Sequence, residues 1–177
     1  KEIFADLAAI LLGGLAAAWG MADFLAHPQP RTLTYRPGGA HPTADLRVYV
    51  LAEMMRRMGF ARDATRLLRV WQQLYQPQGV NRIPPSLMTS APRVIPEVVD
   101  EIAFQTRRNL AQRALADIIA FQRADEDAIR DGAARLAAGR TTALAPRHLV
   151  SAAHYALEGG RIAPQRLGVT GYRIAGR

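Results

Sequence analysis

Glu2 and Asp6, two acidic residues near the beginning of the chain, are candidates for a functional site because of their residue type and their spacing. In a helix, side chains four residues apart project from one face, so the two carboxylates would point the same way. They belong to residues 1–25, the longest apolar stretch of the sequence, which we expect to form a largely buried helix. Because burying an unpaired charge is costly, both carboxylates are expected to need partners.

The same two residues also allow a purely structural interpretation. Acidic side chains in the first turn of a helix interact favourably with its macrodipole, by a few tenths to about 1 kcal/mol. Further along the face, Ala9, Gly13 and Ala16 or Ala17 are small, so a second helix could approach closely there. The spacing alone leaves the choice between a ligand and a helix-terminus residue open for Glu2.

Other chemical motifs are missing from the sequence. The chain has no cysteine, which excludes disulfides and thiolate metal sites within it. It contains no H-E-x-x-H, no glycine-rich phosphate loop and no G-x-S-x-G. Of its histidines, His148 and His154 are six residues apart on one expected helix and point to different faces. The chain alone therefore lacks the complete apparatus of a common enzyme class.

A second motif follows the acidic pair. Glu2 and Asp6 form the pattern E-x-x-A-D, and His41 and Arg47 form a later H-P-x-x-x-x-R. This order, over roughly residues 1–59, resembles the downstream half of gluzincin-like bacterial zinc metallopeptidases. In that family a glutamate from a helix downstream of H-E-x-x-H is the third zinc ligand.

The resemblance implies a role for each of these residues. Glu2 would be the third zinc ligand, and Asp6 would accept a hydrogen bond from a zinc-ligating histidine. His41 and Arg47 would support the cleft, although His41 could equally be a loop or capping residue and Arg47 an exposed salt-bridge residue. The H-E-x-x-H helix, with two histidine ligands and the general base, is absent, and we expect it upstream in a longer polypeptide.

The expected function is therefore that of the C-terminal helical part of a zinc-dependent peptidase-like protein, a hydrolase that is not active as this chain alone. It would hold zinc only together with the missing upstream ligands. Its expected partners are a peptide or protein substrate and the upstream part of the same polypeptide. The alternative is a non-enzymatic helical interaction module of a larger assembly, which would use a proline-rich loop and a basic tail as contact surfaces.

Charge and hydropathy indicate which other partners can be expected. The formal net charge is +8, but the arginines are spread along the 177 residues, so we do not expect nucleic acid as a partner. Binding through arginine-rich faces remains a third interpretation, and it would depend steeply on salt. The apolar run from Leu7 to Ala22 is about 16 residues, short of the roughly 20 that span a membrane. No signal peptide is visible, and we expect no membrane span and a cytoplasmic location.

The elements that must position these residues are predicted to be helices. Apolar spacing predicts an all-α single domain of about six to seven helices. The expected ranges are residues 1–25, 43–58, 63–75, 96–110, 110–121, 125–138 and 146–157. Residues 76–95 are expected to form a long proline-rich loop, residues 161–177 a basic tail, and residues 31–35 the one plausible extended piece.

Overall fold

The structure of the chain, a computed structural model, describes residues 1–26, 32–39, 41–75 and 83–158. The expected helix break at Pro28 and Pro30 and the basic tail 161–177 lie outside these residues. The described part forms seven α-helices and no strand, which confirms the all-α prediction. The helices are α1 (Glu2–Leu25), α2 (Ala44–Arg57), α3 (Ala61–Leu74), α4 (Pro85–Val99), α5 (Leu115–Ile118), α6 (Arg123–Ala137) and α7 (Pro146–Glu158).

Helix α1 lies at the centre of the core and packs against α2 and α7. Its leucine and isoleucine side chains are almost completely removed from water at Leu7, Ile10, Leu11 and Leu15. At the predicted small-residue face, Ser151 of α7 approaches Gly13 so closely that a Cβ there would lie 3.3 Å from its Oγ. The close approach of a second helix is therefore present.

A break at Gly14 divides α1 into two helical halves. Gly14 has φ 64° and ψ −147°, a conformation that is essentially restricted to glycine. The ring of Phe121 fills the space beside it, since a Cβ at position 14 would lie 2.0 Å from the Phe121 Cζ atom. Next to the break, the Ser151 Oγ donates a 2.8 Å hydrogen bond to the Gly13 carbonyl oxygen. Two distant side chains thus stabilise the break.

The length and composition of α1 would allow it to cross a membrane. Its most apolar 18-residue window has a mean hydropathy of 1.8, and 44% of that window is buried in the fold. A core helix of a soluble protein meets the same criteria, and α1 is interrupted at Gly14. Length and composition therefore do not by themselves indicate a membrane span.

Helices α2 and α3 pack against each other across a short link at Gly59 and form a helical hairpin. Gly59 has φ 87°, the left-handed conformation expected just after a helix end. The indole of Trp71 on α3 donates a 2.7 Å hydrogen bond to the Asp45 carboxylate on α2. Arg47, expected on an exposed face of α2, is instead buried, with 7% of its surface exposed.

The expected proline-rich loop over residues 76–95 is wrong in its second half. Helix α4 begins at Pro85 and continues through Pro92 and Pro96, so Pro96 does not start a helix. Proline at the first helical position costs little because its N–H would be unpaired there anyway. Pro92 is exposed, so water can hydrogen-bond the carbonyl left without a partner one turn earlier. Residues 76–82 lie outside the described part.

The expected helix over residues 110–121 is also wrong. Ala111 and Gln112 have positive φ angles of 54° and 58°, and they turn the backbone so that the Arg107 N–H donates to the Arg113 carbonyl oxygen at 3.0 Å. Only the four residues of α5 are helical within that range. Residues 31–35 were expected to form an extended piece; of these, residues 32–35 are described, and they form no strand.

Candidate functional site

The first polar cluster of interest joins the first turns of α1 to the beginning of α2. Arg47 donates from Nε to Asp6 Oδ2 at 2.8 Å and from Nη2 to Asp6 Oδ1 at 2.7 Å. This is the bidentate geometry in which a guanidinium matches a carboxylate. Asp6 is 2% exposed, so the pair is almost entirely shielded from water. The hydrogen bond to Asp6 is the main reason that the pKa of Arg47 is raised, and burial only partly opposes it.

Glu2 lies one turn before Asp6, at the water-exposed edge of this pair. Its Oε1 is 3.3 Å from His41 Nδ1, and its Oε2 is 3.9 Å from Arg47 Nη2. Side-chain exposure is 38% for Glu2 and 66% for His41. A carboxylate that is accessible and only loosely paired is free to bind another group, whereas Asp6 is buried and already accepts one hydrogen bond from Arg47 at each oxygen.

The four residues line an open cavity of about 760 Å³ between the first and last turns of α1, the segment before α2 and the beginning of α2. Phe24, with 69% of its surface exposed, and Met21 form part of the apolar wall of this cavity. Arg36 lines both this cavity and an adjoining one that Glu2 and His41 share. The carboxylate of Glu2 therefore faces a cavity that is large enough for part of a peptide or for another helix.

Glu2, Asp6, His41 and Arg47 are the site residues expected from the two motifs, and in the structure all four lie together. The motif spacing could not reveal which residues pair, and the Asp6–Arg47 contact crosses 41 positions of sequence. The apolar wall formed by Met21 and Phe24 was missed, because apolar residues at helical spacing indicate only packing.

A zinc ion is the cofactor that the resemblance implies. Among residues 1–26, 32–39, 41–75 and 83–158, no three histidine, cysteine, aspartate or glutamate side chains form a group that could hold a metal ion. Glu2 and His41 supply two donors at most, against the three protein ligands of a catalytic zinc site. The described residues therefore do not form a zinc site by themselves.

A second polar cluster connects α6 to α7 around Glu126, which is 3% exposed. Its Oε1 accepts hydrogen bonds from Arg130 Nε at 2.7 Å and from the Tyr155 hydroxyl at 2.9 Å. Burial, reinforced by the neighbouring carboxylate, raises the pKa of Tyr155, so its phenol stays neutral. The four-residue spacing of Glu126 and Arg130 could have indicated this pair, but Tyr155 is visible only in the fold.

The remaining described histidines lie apart from Glu2. His148 is 8% exposed, packs edge-on against Phe121, and has Nε2 3.7 Å from Asp125 Oδ1. His154 packs against Gly20 of α1, where a Cβ would lie 3.3 Å from its ring. Both side chains serve the contact between α7 and its neighbours.

Comparison of the chain with protein-family models, with curated protein sequences and with solved structures gave no match. The chemistry and geometry of the cluster around Glu2 are therefore the basis on which a function can be argued.

Proposed function

We propose that this chain is the C-terminal helical part of a zinc-dependent peptidase-like protein. Glu2 supplies the third zinc ligand, and His41 and Arg47 form part of the wall of the substrate cleft. Asp6 holds Arg47 in place and leaves one lone pair on each oxygen for a further donor. Two histidine ligands must come from outside residues 1–177, because the sequence contains no H-E-x-x-H.

The observation that carries the proposal is the convergence of two separate motifs. Glu2 and Asp6 belong to the E-x-x-A-D pattern, and His41 and Arg47 to the H-P-x-x-x-x-R pattern, yet all four share one cavity wall. The buried pair Asp6–Arg47 orients the first turns of α1, and the accessible Glu2 carboxylate projects from there. An accessible carboxylate on a rigid support is what a ligand position requires.

A second face of α1 is apolar and exposed, which suits a contact with another part of the polypeptide or with a partner protein. Phe4, Ala8 and Leu12 follow at four-residue intervals on the half of α1 that carries Glu2. Phe4 is 52% exposed and Leu12 is 45% exposed. Exposed apolar side chains in a row on one helix face suit the packing of another helix. At 100° per residue, this face lies roughly 140° around the helix from Glu2 and Asp6, so it is a contact surface of α1 that is distinct from the proposed ligand position.

The same exposed face supports the alternative, a non-enzymatic helical interaction module, since a partner protein could cover it equally well. The two proposals differ in what Glu2 does. If the chain is an interaction module, replacing the Glu2 carboxylate has no effect on metal content, and replacing Leu12 by a charged residue removes the partner.

The decisive experiment measures zinc in the full-length polypeptide. Glu2→Gln keeps the side-chain volume but weakens the ligand, and we expect at least a tenfold loss of zinc affinity by competition with a chelator. Glu97→Gln is the matched control, because Glu97 is exposed on α4 and pairs only loosely with Arg93, at 3.9 Å. Equal zinc affinity in both variants, or a reading frame with no H-E-x-x-H in about 100 residues upstream, would refute the peptidase proposal.

A further inference from the structure

The arginines of the described residues differ in whether they form an ion pair with a carboxylate. Many of them contact a carboxylate, as Arg56 does with Glu53 at 3.0 Å and Arg107 with Glu101 at 2.8 Å. On α3 the situation differs. None of its three arginines contacts a carboxylate within the described residues, and all three are exposed: Arg62, Arg66 and Arg69. Seven other described arginines also contact no carboxylate, but they are distributed over several segments, whereas α3 carries three such residues on one helix.

These three arginines also share one face, which we call the α3 arginine stripe. At 100° per residue, their side chains leave the helix within roughly 60° of one another. Along the axis they are spaced about 6 Å and about 4.5 Å apart, from the 1.5 Å rise per residue. Gln73 continues the same face and is exposed. The stripe thus offers three guanidinium groups and an amide in a row, without an apolar side chain between them.

An aromatic ring lies beside the stripe. The guanidinium of Arg66 stands 5.8 Å from the centre of the half-buried Trp19 ring on α1. Trp71, the other tryptophan, is buried at 3% exposure and cannot serve a ligand in this way. Guanidinium groups bind phosphates as forked donors, and an indole provides a surface on which a base can stack. Because Arg66 now lies over the Trp19 ring, a base reaches that ring only when the Arg66 guanidinium turns away from it toward a phosphate.

We propose that the α3 arginine stripe binds the sugar-phosphate backbone of a single-stranded nucleic acid, with one base stacked at Trp19. Val70 and Leu74 are exposed next to the stripe, so an anionic membrane surface is the competing partner. The Trp19 ring favours the nucleic acid, because a base can stack on it. The site is separate from the cavity at Glu2 and does not depend on the zinc proposal. Phosphate contacts of this type recognise the backbone and carry no sequence preference.

Fluorescence anisotropy of the full chain tests the proposal, with a labelled oligothymidylate of about 20 nucleotides as the probe. The stripe variant is Arg62→Gln/Arg66→Gln/Arg69→Gln. The control variant is Arg56→Gln/Arg93→Gln/Arg107→Gln, which removes three exposed arginines that have acidic partners. Both variants lose three positive charges, so a purely nonspecific attraction would weaken equally in both.

We expect only the stripe variant to lose affinity, by at least tenfold at low salt. With three phosphate contacts removed, the slope of log K against log salt should become shallower by about 2. Binding should also quench the fluorescence of Trp19, and Trp19→Leu should abolish the quenching and weaken binding several-fold. Circular dichroism checks that each variant is folded, which is expected because glutamine and arginine have similar helix propensities.

Three outcomes would overturn the proposal: equal losses in the two triple variants, no binding to the oligonucleotide at low salt, or quenching that persists in Trp19→Leu. A fourth concerns the alternative partner. If wild type binds phosphatidylserine vesicles through the stripe, and oligonucleotide binding does not depend on the stripe, the partner is a membrane surface and the nucleic-acid proposal is wrong.

Discussion

Asp6 and Arg47 form a two-pronged ion pair across 41 residues of sequence, with only 2% and 9% of their side chains exposed. A pair shielded in this way gains little over an apolar replacement, because removing two charges from water is expensive. Its main contribution is positional, since the fork fixes the beginning of α2 against the first turns of α1. Removing one partner leaves the other charge buried and unpaired.

We therefore expect Asp6→Leu and Arg47→Met each to lower the free energy of unfolding by about 3–5 kcal/mol. Urea unfolding followed by circular dichroism measures this. The control is Arg93→Met at the exposed Arg93–Glu97 pair, where a change of less than about 1 kcal/mol is expected.

The double variant Asp6→Leu/Arg47→Met should be less destabilised than the sum of its single changes, because neither charge remains unpaired. Strictly additive losses would show that the two side chains do not depend on each other, contrary to the geometry.

The glycine at the break in α1 should tolerate no side chain. Gly14→Ala places a methyl group against the Phe121 ring and keeps a positive φ, so we expect a loss of about 3 kcal/mol in unfolding free energy. Gly139→Ala is the matched control. Gly139 has φ 69° and no atom within 4 Å of its Cβ position, so this change carries the backbone strain alone, about 1–2 kcal/mol. Equal losses at the two positions would mean that Phe121 makes no tight contact.

The Asp45–Trp71 hydrogen bond predicts a pH dependence. Burial raises the pKa of Asp45 above its ordinary value of 3.8, and the hydrogen bond from Trp71 offsets only part of this effect. The folded protein therefore holds the Asp45 proton more tightly than the unfolded chain. The corresponding stability is fully present below pH 3.8 and is lost as the pH rises through the folded-state pKa.

Asp45→Asn keeps an oxygen acceptor for the Trp71 indole and does not titrate. Its unfolding free energy relative to wild type should therefore increase from below pH 3.8 toward neutral pH, in urea unfolding at several pH values. Asp45→Ala should follow a parallel curve, lower by about 1 kcal/mol for the lost hydrogen bond. A pH-independent difference between wild type and Asp45→Asn would contradict the raised pKa.

Sequence signals from a few neighbouring residues predicted those features of the fold that depend only on such neighbours. The expected helices 43–58 and 125–138 stop just before Gly59 and Gly139, and both glycines have the left-handed conformation that favours glycine after a helix end. Pro92 was interpreted as a loop residue, since proline usually interrupts a helix, but α4 lies at the surface and tolerates it. The positive φ of Ala111 depends on a turn that no residue type there indicates.

In the candidate site, too, short-range features were predicted from the sequence and long-range contacts were not. The spacing of Glu2 and Asp6 predicted a shared helix face, and this needs only the geometry of one helix. The burial of Arg47 could not be predicted in this way, because the partner that makes its burial possible lies on another helix. Long-range pairing is decided by the fold as a whole, and a single sequence carries no direct record of it.

The contact between α1 and α7 has a consequence for the order of events during synthesis. Gly13 and Ser151 are 138 residues apart, so at about 5–20 residues per second the first helix waits roughly 7–28 s for the last described one. During that time α2 can pack against α1, but the side that α7 will occupy stays open to water. The packing around α1 is therefore completed last, although α1 is made before the other described helices, and the nascent chain must keep that surface from other contacts until then.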